Sequence, residues 1–259
     1  VALGLHSVLA VPGSPVATIS GAGQLTPDEW RAKLETVHVV SMTHLDIGWT
    51  DLAGSVCEWY FHSWFPAALQ TIEELRARGD PANQFVVQTH PWILQELLYG
   101  SAGCTLARPS QTTIARVRAE MSRGTIAWQA KPFNMLVELA PSALLDWSFG
   151  IGQKLNREFN QTWGLAATSA NVCGISLGAV PVLAAHGVRA IHMGYNNGGH
   201  FPTETGIATN SHLSESRTFR WQHSAGGAEV IVMNEPAYGD RVVIPGCPDA
   251  LVFDFHSDN

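Results

Sequence analysis

Between residues 37 and 193, short β-branched or apolar runs alternate with longer helical stretches, and this alternation restricts the possible folds more than any other property of the chain. The runs starting at Val37, Phe85, Thr125, Leu165 and Val188 read as strands. Residues 55–78, Trp92–Tyr99, Pro109–Arg123, Ser142–Phe159 and Leu177–His186 read as helices. Pro66 is expected to bend the first of these, Gly79-Asp80-Pro81 to end it, and Gly187 to close the last. Such alternation builds a parallel sheet with crossover helices. From Thr218 onward the pattern changes to closely spaced strands at 219–221, 228–233 and 250–255, joined by Gly- and Pro-rich turns. Ahead of Val37, Thr26-Pro27-Asp28-Glu29 reads as the capped start of a short helix through Leu34. At 259 residues the whole can be one α/β barrel.

The first strand ends in Thr43-His44-Leu45-Asp46-Ile47-Gly48-Trp49. Residues i and i+2 of a strand face the same side, so His44 and Asp46 converge if extended geometry lasts that far. An imidazole and a carboxylate meeting at the C-terminal end of a buried strand make half of a zinc site. A buried, hydrogen-bonded histidine followed by a turn-forming aspartate satisfies the same spacing.

The segment resembles the His-x-Asp-x-Gly-Trp signature that opens the catalytic domain of glycoside hydrolase family 38, the α-mannosidases. It looks closest to a branch reading Thr-His-Leu-Asp-Ile-Gly. The resemblance implies a distorted seven-stranded (β/α) barrel, shared with sugar deacetylases, over residues 36–259 behind an N-terminal extension of 1–35. It implies Zn2+ held by His44 and Asp46, with a carbohydrate substrate near Trp49. The family's enzymes continue into a helical bundle and β-rich domains, so this chain is expected to be a truncated form. His256, near Asp258-Asn259, loosely matches a late histidine-bearing element and is the expected third ligand.

Other segments carry the resemblance less evenly. Lys131-Pro132-Phe133-Asn134, followed by Glu138, resembles the family's third-strand segment; there Asn134 is expected to bind sugar hydroxyls and Glu138 to bind substrate or act as an acid. Asn134 capping a turn and Glu138 as a solvated acid fit the sequence equally. Asn171-Val172-Cys173-Gly174 aligns with the segment that holds the family's aspartate nucleophile. The residue here is Asn171, and no Asp or Glu occurs between Asn160 and Thr203. An amide is a poor nucleophile and a weak neutral ligand, so a retaining mechanism would lose its covalent step. Tyr195-Asn196-Asn197-Gly198-Gly199 resembles the branch's Gly-x-Asn-Gly-Gly loop, with Asn197 as its substrate-binding candidate; an ordinary tight turn fits the sequence equally. Glu235, Tyr238 and Asp240 supply a possible general acid, of which Asp240 is the choice.

Composition narrows the classes. Net charge is −7 with no basic run, which argues against nucleic acid as a partner. No stretch is long and apolar enough to span a membrane. Cys57, Cys104, Cys173 and Cys247 form no Cys-x-x-Cys pair, which excludes a zinc ribbon and leaves two disulfides or four thiols open. Asn160-Gln161-Thr162 is a glycosylation sequon if the chain is secreted. The small apolar residues 1–18 read as a processed leader or a plain extension, with a secreted or lumenal location expected over the cytoplasm. The expected function is a zinc-dependent glycoside hydrolase of α-mannosidase type. A carbohydrate-binding pseudoenzyme and a zinc-dependent sugar deacetylase stand as alternatives.

Overall fold

The structure, a computed structural model, describes residues 5–9, 38–79, 86–100, 108–170, 175–194, 217–223, 226–235, 241–243 and 251–253. It is an α/β architecture with two sheets. The first has the order β4-β3-β2-β1-β10-β9, from β1 (Leu5–Leu9), β2 (His38–Met42), β3 (Val87–Thr89), β4 (Ile126–Trp128), β9 (Arg241–Val243) and β10 (Leu251–Phe253). The second has the order β5-β6-β8-β7, from β5 (Ala166–Ala170), β6 (Ala190–Gly194), β7 (Arg217–Gln222) and β8 (Glu229–Glu235). The pairs β2–β3, β3–β4, β5–β6 and β6–β8 are parallel, as strand–helix alternation requires, while β1, β7, β9 and β10 pair antiparallel. The sheets meet where β4 runs out: the Ala130 amide donates to the Ala166 carbonyl at 2.9 Å, and the Thr168 amide donates to the Gln129 side-chain oxygen at 2.7 Å. A parallel wall therefore runs from β2 through β4 into β5, β6 and β8; among the described residues it does not close into a barrel.

Helices cover this wall. α1 (Ala53–Trp59) passes through a π-turn at Tyr60–Trp64 into α2 (Phe65–Ala77). Pro66 has no N–H to give the turn before it, and the wider π-turn accommodates this without breaking the helix. Its effect is to bury Tyr60, Phe61, Trp64 and Phe65 together against the sheet. α3 (Pro91–Tyr99), α4 (Gln111–Arg123), α5 (Ser142–Phe159) and α6 (Val180–Ala185) follow. Ser110 caps α4 by accepting the Thr113 amide at 3.1 Å, and Gly124 ends it in the left-handed conformation (φ 79°). Arg76 of α2 binds both oxygens of Glu120 of α4, pinning the two helices side by side.

Two apolar clusters result. One gathers α1–α4, β3, β4 and the C-terminal part of α5 (Leu155, Phe159) and includes Phe65, Leu94 and Trp128; the other gathers the N-terminal part of α5 (Leu145, Phe149) and α6 with β5, β6 and β8. Leu45 belongs to the first cluster and has no exposed surface. It lies between His44 and Asp46, so the packing of one side chain fixes the backbone that aims its two neighbours. Leu45→Ala is expected to cost about 2–5 kcal/mol, read as a lower midpoint in urea denaturation against the unsubstituted chain.

Candidate functional site

The C-terminal ends of β2 to β5 lie along one rim, where parallel α/β sheets place their ligands. Just beyond β2, His44 Nε2 lies 3.3 Å from Asp46 Oδ1, and both side chains are largely buried. The same carboxylate oxygen accepts a hydrogen bond from Asn134 Nδ2 at 2.9 Å. Backbone pairing supports this contact: Asp46 and Asn134 form a parallel bridge, and the Asn134 amide donates to the Leu45 carbonyl at 2.9 Å. Burial pushes the Asp46 pKa up, but hydrogen bonds from His44 and Asn134 outweigh it and hold the carboxyl below its ordinary value. Asp46 is thus an ionised, oriented carboxylate at neutral pH.

Beneath this pair lies a buried polar floor. Thr43 and Thr89 hydroxyls are hydrogen-bonded at 2.9 Å, and the buried Tyr60 hydroxyl, its pKa raised by desolvation, reaches Thr43. His90 follows β3 and is held extended (ψ 140°) by Pro91. Its Nδ1 is 3.1 Å from the Lys131 carbonyl, and its Nε2 is 3.1 Å from Gln129 Nε2. Because Gln129 takes the Thr168 amide on its oxygen, it presents N–H to His90; His90 therefore carries its own proton on Nδ1 and donates it to Lys131. Burial first, and the Lys131 charge second, push the His90 pKa down to about 3, so the imidazole is neutral.

Lys131 is completely buried, and its ammonium donates to Ser169 Oγ of β5 at 3.1 Å. Desolvation lowers its pKa to about 7, while the nearby Glu138 and Asp46 carboxylates favour the charged form. Glu138 lies on a short 3₁₀ turn, Val137–Leu139, which Val137 anchors in the second cluster. Glu138 is solvent-accessible, yet partial desolvation raises its pKa against the pull of Lys131. Gly48 adopts a left-handed turn (φ 76°) with its amide on the Asp51 carbonyl, leaving Trp49 84% exposed beside the rim.

Of the residues singled out in the sequence, His44, Asp46 and Asn134 meet in one place, while Glu138 and Trp49 stand on the two adjoining loops. Asn171, Asn197, Asp240 and His256 lie outside the described residues. Glu235, expected in a loop, is the last residue of β8, opposite Gly194 of β6, because the strand runs two residues longer than its apolar pattern. The sequence did not single out His90, Gln129 or Ser169, and it marked Lys131 only as the first residue of the segment 131–134, with no role. Gln129 and Lys131 stand at i and i+2, so the reasoning applied to His44 and Asp46 would have placed both on one face.

Donors bound roughly 2.0–2.1 Å from a tetrahedral zinc stand about 3.3–3.4 Å apart. The His44–Asp46 spacing of 3.3 Å fits that separation, and the Asn134 contact to Asp46 is the kind of supporting bond that orients a metal-binding carboxylate. Among the described residues no third histidine, cysteine or carboxylate joins them in a metal-holding group.

No family model matches the sequence, and no curated protein matches it. Among solved structures, the crystal structure of 4-alpha-glucanotransferase from Thermococcus litoralis is similar, with a TM-score of 0.48 and 13% identity over 75% of this chain and 27% of that one.

Lys131 also shapes stability. Its folded pKa of about 7 lies below the ordinary 10.5, so between these values the unfolded chain binds a proton that the folded chain does not. Stability from this group therefore rises with pH across that window, and the cost of the buried charge is complete below it. Lys131→Met is expected to gain on the unsubstituted chain most at about pH 6 and to lose a few kcal/mol of that relative gain by about pH 10. Paired denaturation curves at the two pH values check this.

Proposed function

We propose that the chain is a zinc-dependent glycoside hydrolase domain of α-mannosidase type. The observation that supports this best is the 3.3 Å approach of His44 Nε2 to Asp46 Oδ1 within the segment that resembles the family 38 signature. In this reading His44, Asp46 and His256 hold the metal and Asn134 orients Asp46 from behind. Zinc would supply Lewis-acid polarisation of the bound sugar hydroxyls. Trp49 offers its exposed ring to a sugar face, and Asn197 offers an amide to its hydroxyls. Glu138 and Asp240 are the carboxyl groups available for proton transfer, and the full wall would be the distorted seven-stranded barrel of that family.

A second reading is favoured by Asn171. With an amide where the family has its carboxylate nucleophile, the chain is instead a carbohydrate-binding pseudoenzyme that retains its metal. The two share a metal site and differ in turnover.

Metal analysis of the purified chain by mass spectrometry tests what they share. The expected result is about one zinc per chain, lost in His44→Ala. Absence of zinc under replete conditions would defeat both readings. With zinc present, release of free sugar from aryl glycosides, increased in Asn171→Asp, supports the hydrolase. Saturable sugar binding without release supports the pseudoenzyme.

A further inference from the structure

Asn160-Gln161-Thr162 is a motif that the proposed chemistry leaves unused, and it is the single Asn-x-Ser/Thr triplet in the chain. It lies in the turn from α5 into β5, and the fold divides that turn into two kinds of residue. Gln161 and Trp163 hold it down. The Gln161 side-chain amide donates to the Met121 and Ser122 carbonyls at 3.1 and 3.0 Å, in the last turn of α4. Asn156 of α5 brackets Trp163: its Oδ1 accepts the Trp163 amide at 3.2 Å, and its Nδ2 donates to the Trp163 carbonyl at 2.8 Å. The Trp163 ring packs against the first apolar cluster. Asn160 and Thr162, by contrast, are both exposed, and among the described residues neither side chain makes a hydrogen bond.

Asn160 ends α5 in the left-handed conformation (φ 52°, ψ 49°), its amide donating to the Asn156 carbonyl. That conformation accounts for an asparagine, which tolerates it better than most residues other than glycine. It engages only the backbone, leaves the carboxamide in solvent and asks nothing of residue 162. A hydroxyl two residues on is what N-glycosyl transfer requires in addition. The turn also stands where α4 ends and β5 begins, at the edge of the wall opposite the rim formed by the C-terminal strand ends. A glycan there leaves His44, Asp46 and Asn134 uncovered.

We propose that Asn160 is an N-glycosylation site, on the edge of the wall remote from the rim, in a chain that enters a secretory compartment. Asn160 Nδ2 forms a bond to C1 of an oligosaccharide carried on a lipid diphosphate donor. The bond from C1 to the diphosphate oxygen breaks, the lipid diphosphate leaves, and Nδ2 gives up one proton. This rests on neither metal nor turnover.

The test is expression in a eukaryotic host behind a cleavable signal peptide, with all translocated chain, secreted or retained, read by peptide mass spectrometry. The expected result is an N-glycan on the peptide holding Asn160, absent in Thr162→Ala and Asn160→Gly and kept in Thr162→Ser. Glycine suits the positive φ and Thr162 is exposed, so these variants keep the turn. Because the turn is exposed in the folded chain, peptide N-glycosidase is expected to release the glycan without denaturation and to leave the thermal midpoint unchanged. Translocated chain with Asn160 unmodified overturns the proposal. So does a glycan on Asn160 that persists in Thr162→Ala, or a glycosylated chain that melts below the deglycosylated one.

Discussion

The hydrogen bond from Asn134 to Asp46, together with the backbone bridge between the same two residues, is the contact on which the rest of the rim depends. It joins the chain leaving β2 to the chain leaving β4 across the top of β3. Desolvation alone would push the Asp46 pKa up; the hydrogen bond from Asn134 adds to that from His44 in holding it below the ordinary value. The Asn134 contact aims the carboxylate and ties together the segments that go on to Trp49 and to Glu138.

Under that contact the protein keeps polar groups that an apolar core would exclude. Each has an identified neighbour: Thr43 with Thr89, His90 with the Lys131 carbonyl and Gln129, Gln129 with the Thr168 amide, and Lys131 with Ser169. Such a network is stabilising only when its members are satisfied, and it then permits few arrangements. The Gln129–Thr168 bond has a second consequence, since it links the two sheets at the point where β4 gives way to β5. Polar floor and sheet junction are therefore one structure, and a change at Gln129 would disturb both the imidazole orientation and the continuity of the wall.

Much of this was legible in the sequence where local physics decides. Ser142–Phe159 is a helix over the residues its apolar period gives, and Ser110 and Gly124 bound α4 as their cap chemistry requires. Strand periodicity offered the convergence of His44 and Asp46 only if extended geometry outlasted the strand; β2 ends at Met42, and the Asp46–Asn134 bridge lies beyond it. Long-range pairing decided the remainder. Leu5–Leu9 becomes a strand by pairing with β2 on one side and β10 on the other, and the three-residue β9 exists through its pairing with β10. Neither carries a local pattern long enough to read. Likewise the burial of Lys131 is set by tertiary packing, and no local pattern around it marks a buried cation. The π-turn before Pro66 was foreseen as a bend, but its role in burying Tyr60 beneath Thr43 needed the tertiary structure.

The central claim is that His44 and Asp46 are two arms of one metal site. It is tested most directly by a zinc-edge X-ray absorption spectrum of the zinc-loaded chain. The account predicts a first shell of nitrogen and oxygen at roughly 2.0–2.1 Å with imidazole scattering behind it, and loss of that imidazole signal in His44→Ala. A sulfur shell at roughly 2.3 Å would place the metal on cysteine instead, and a first shell unchanged by His44→Ala would remove His44 from the site; either would contradict the account.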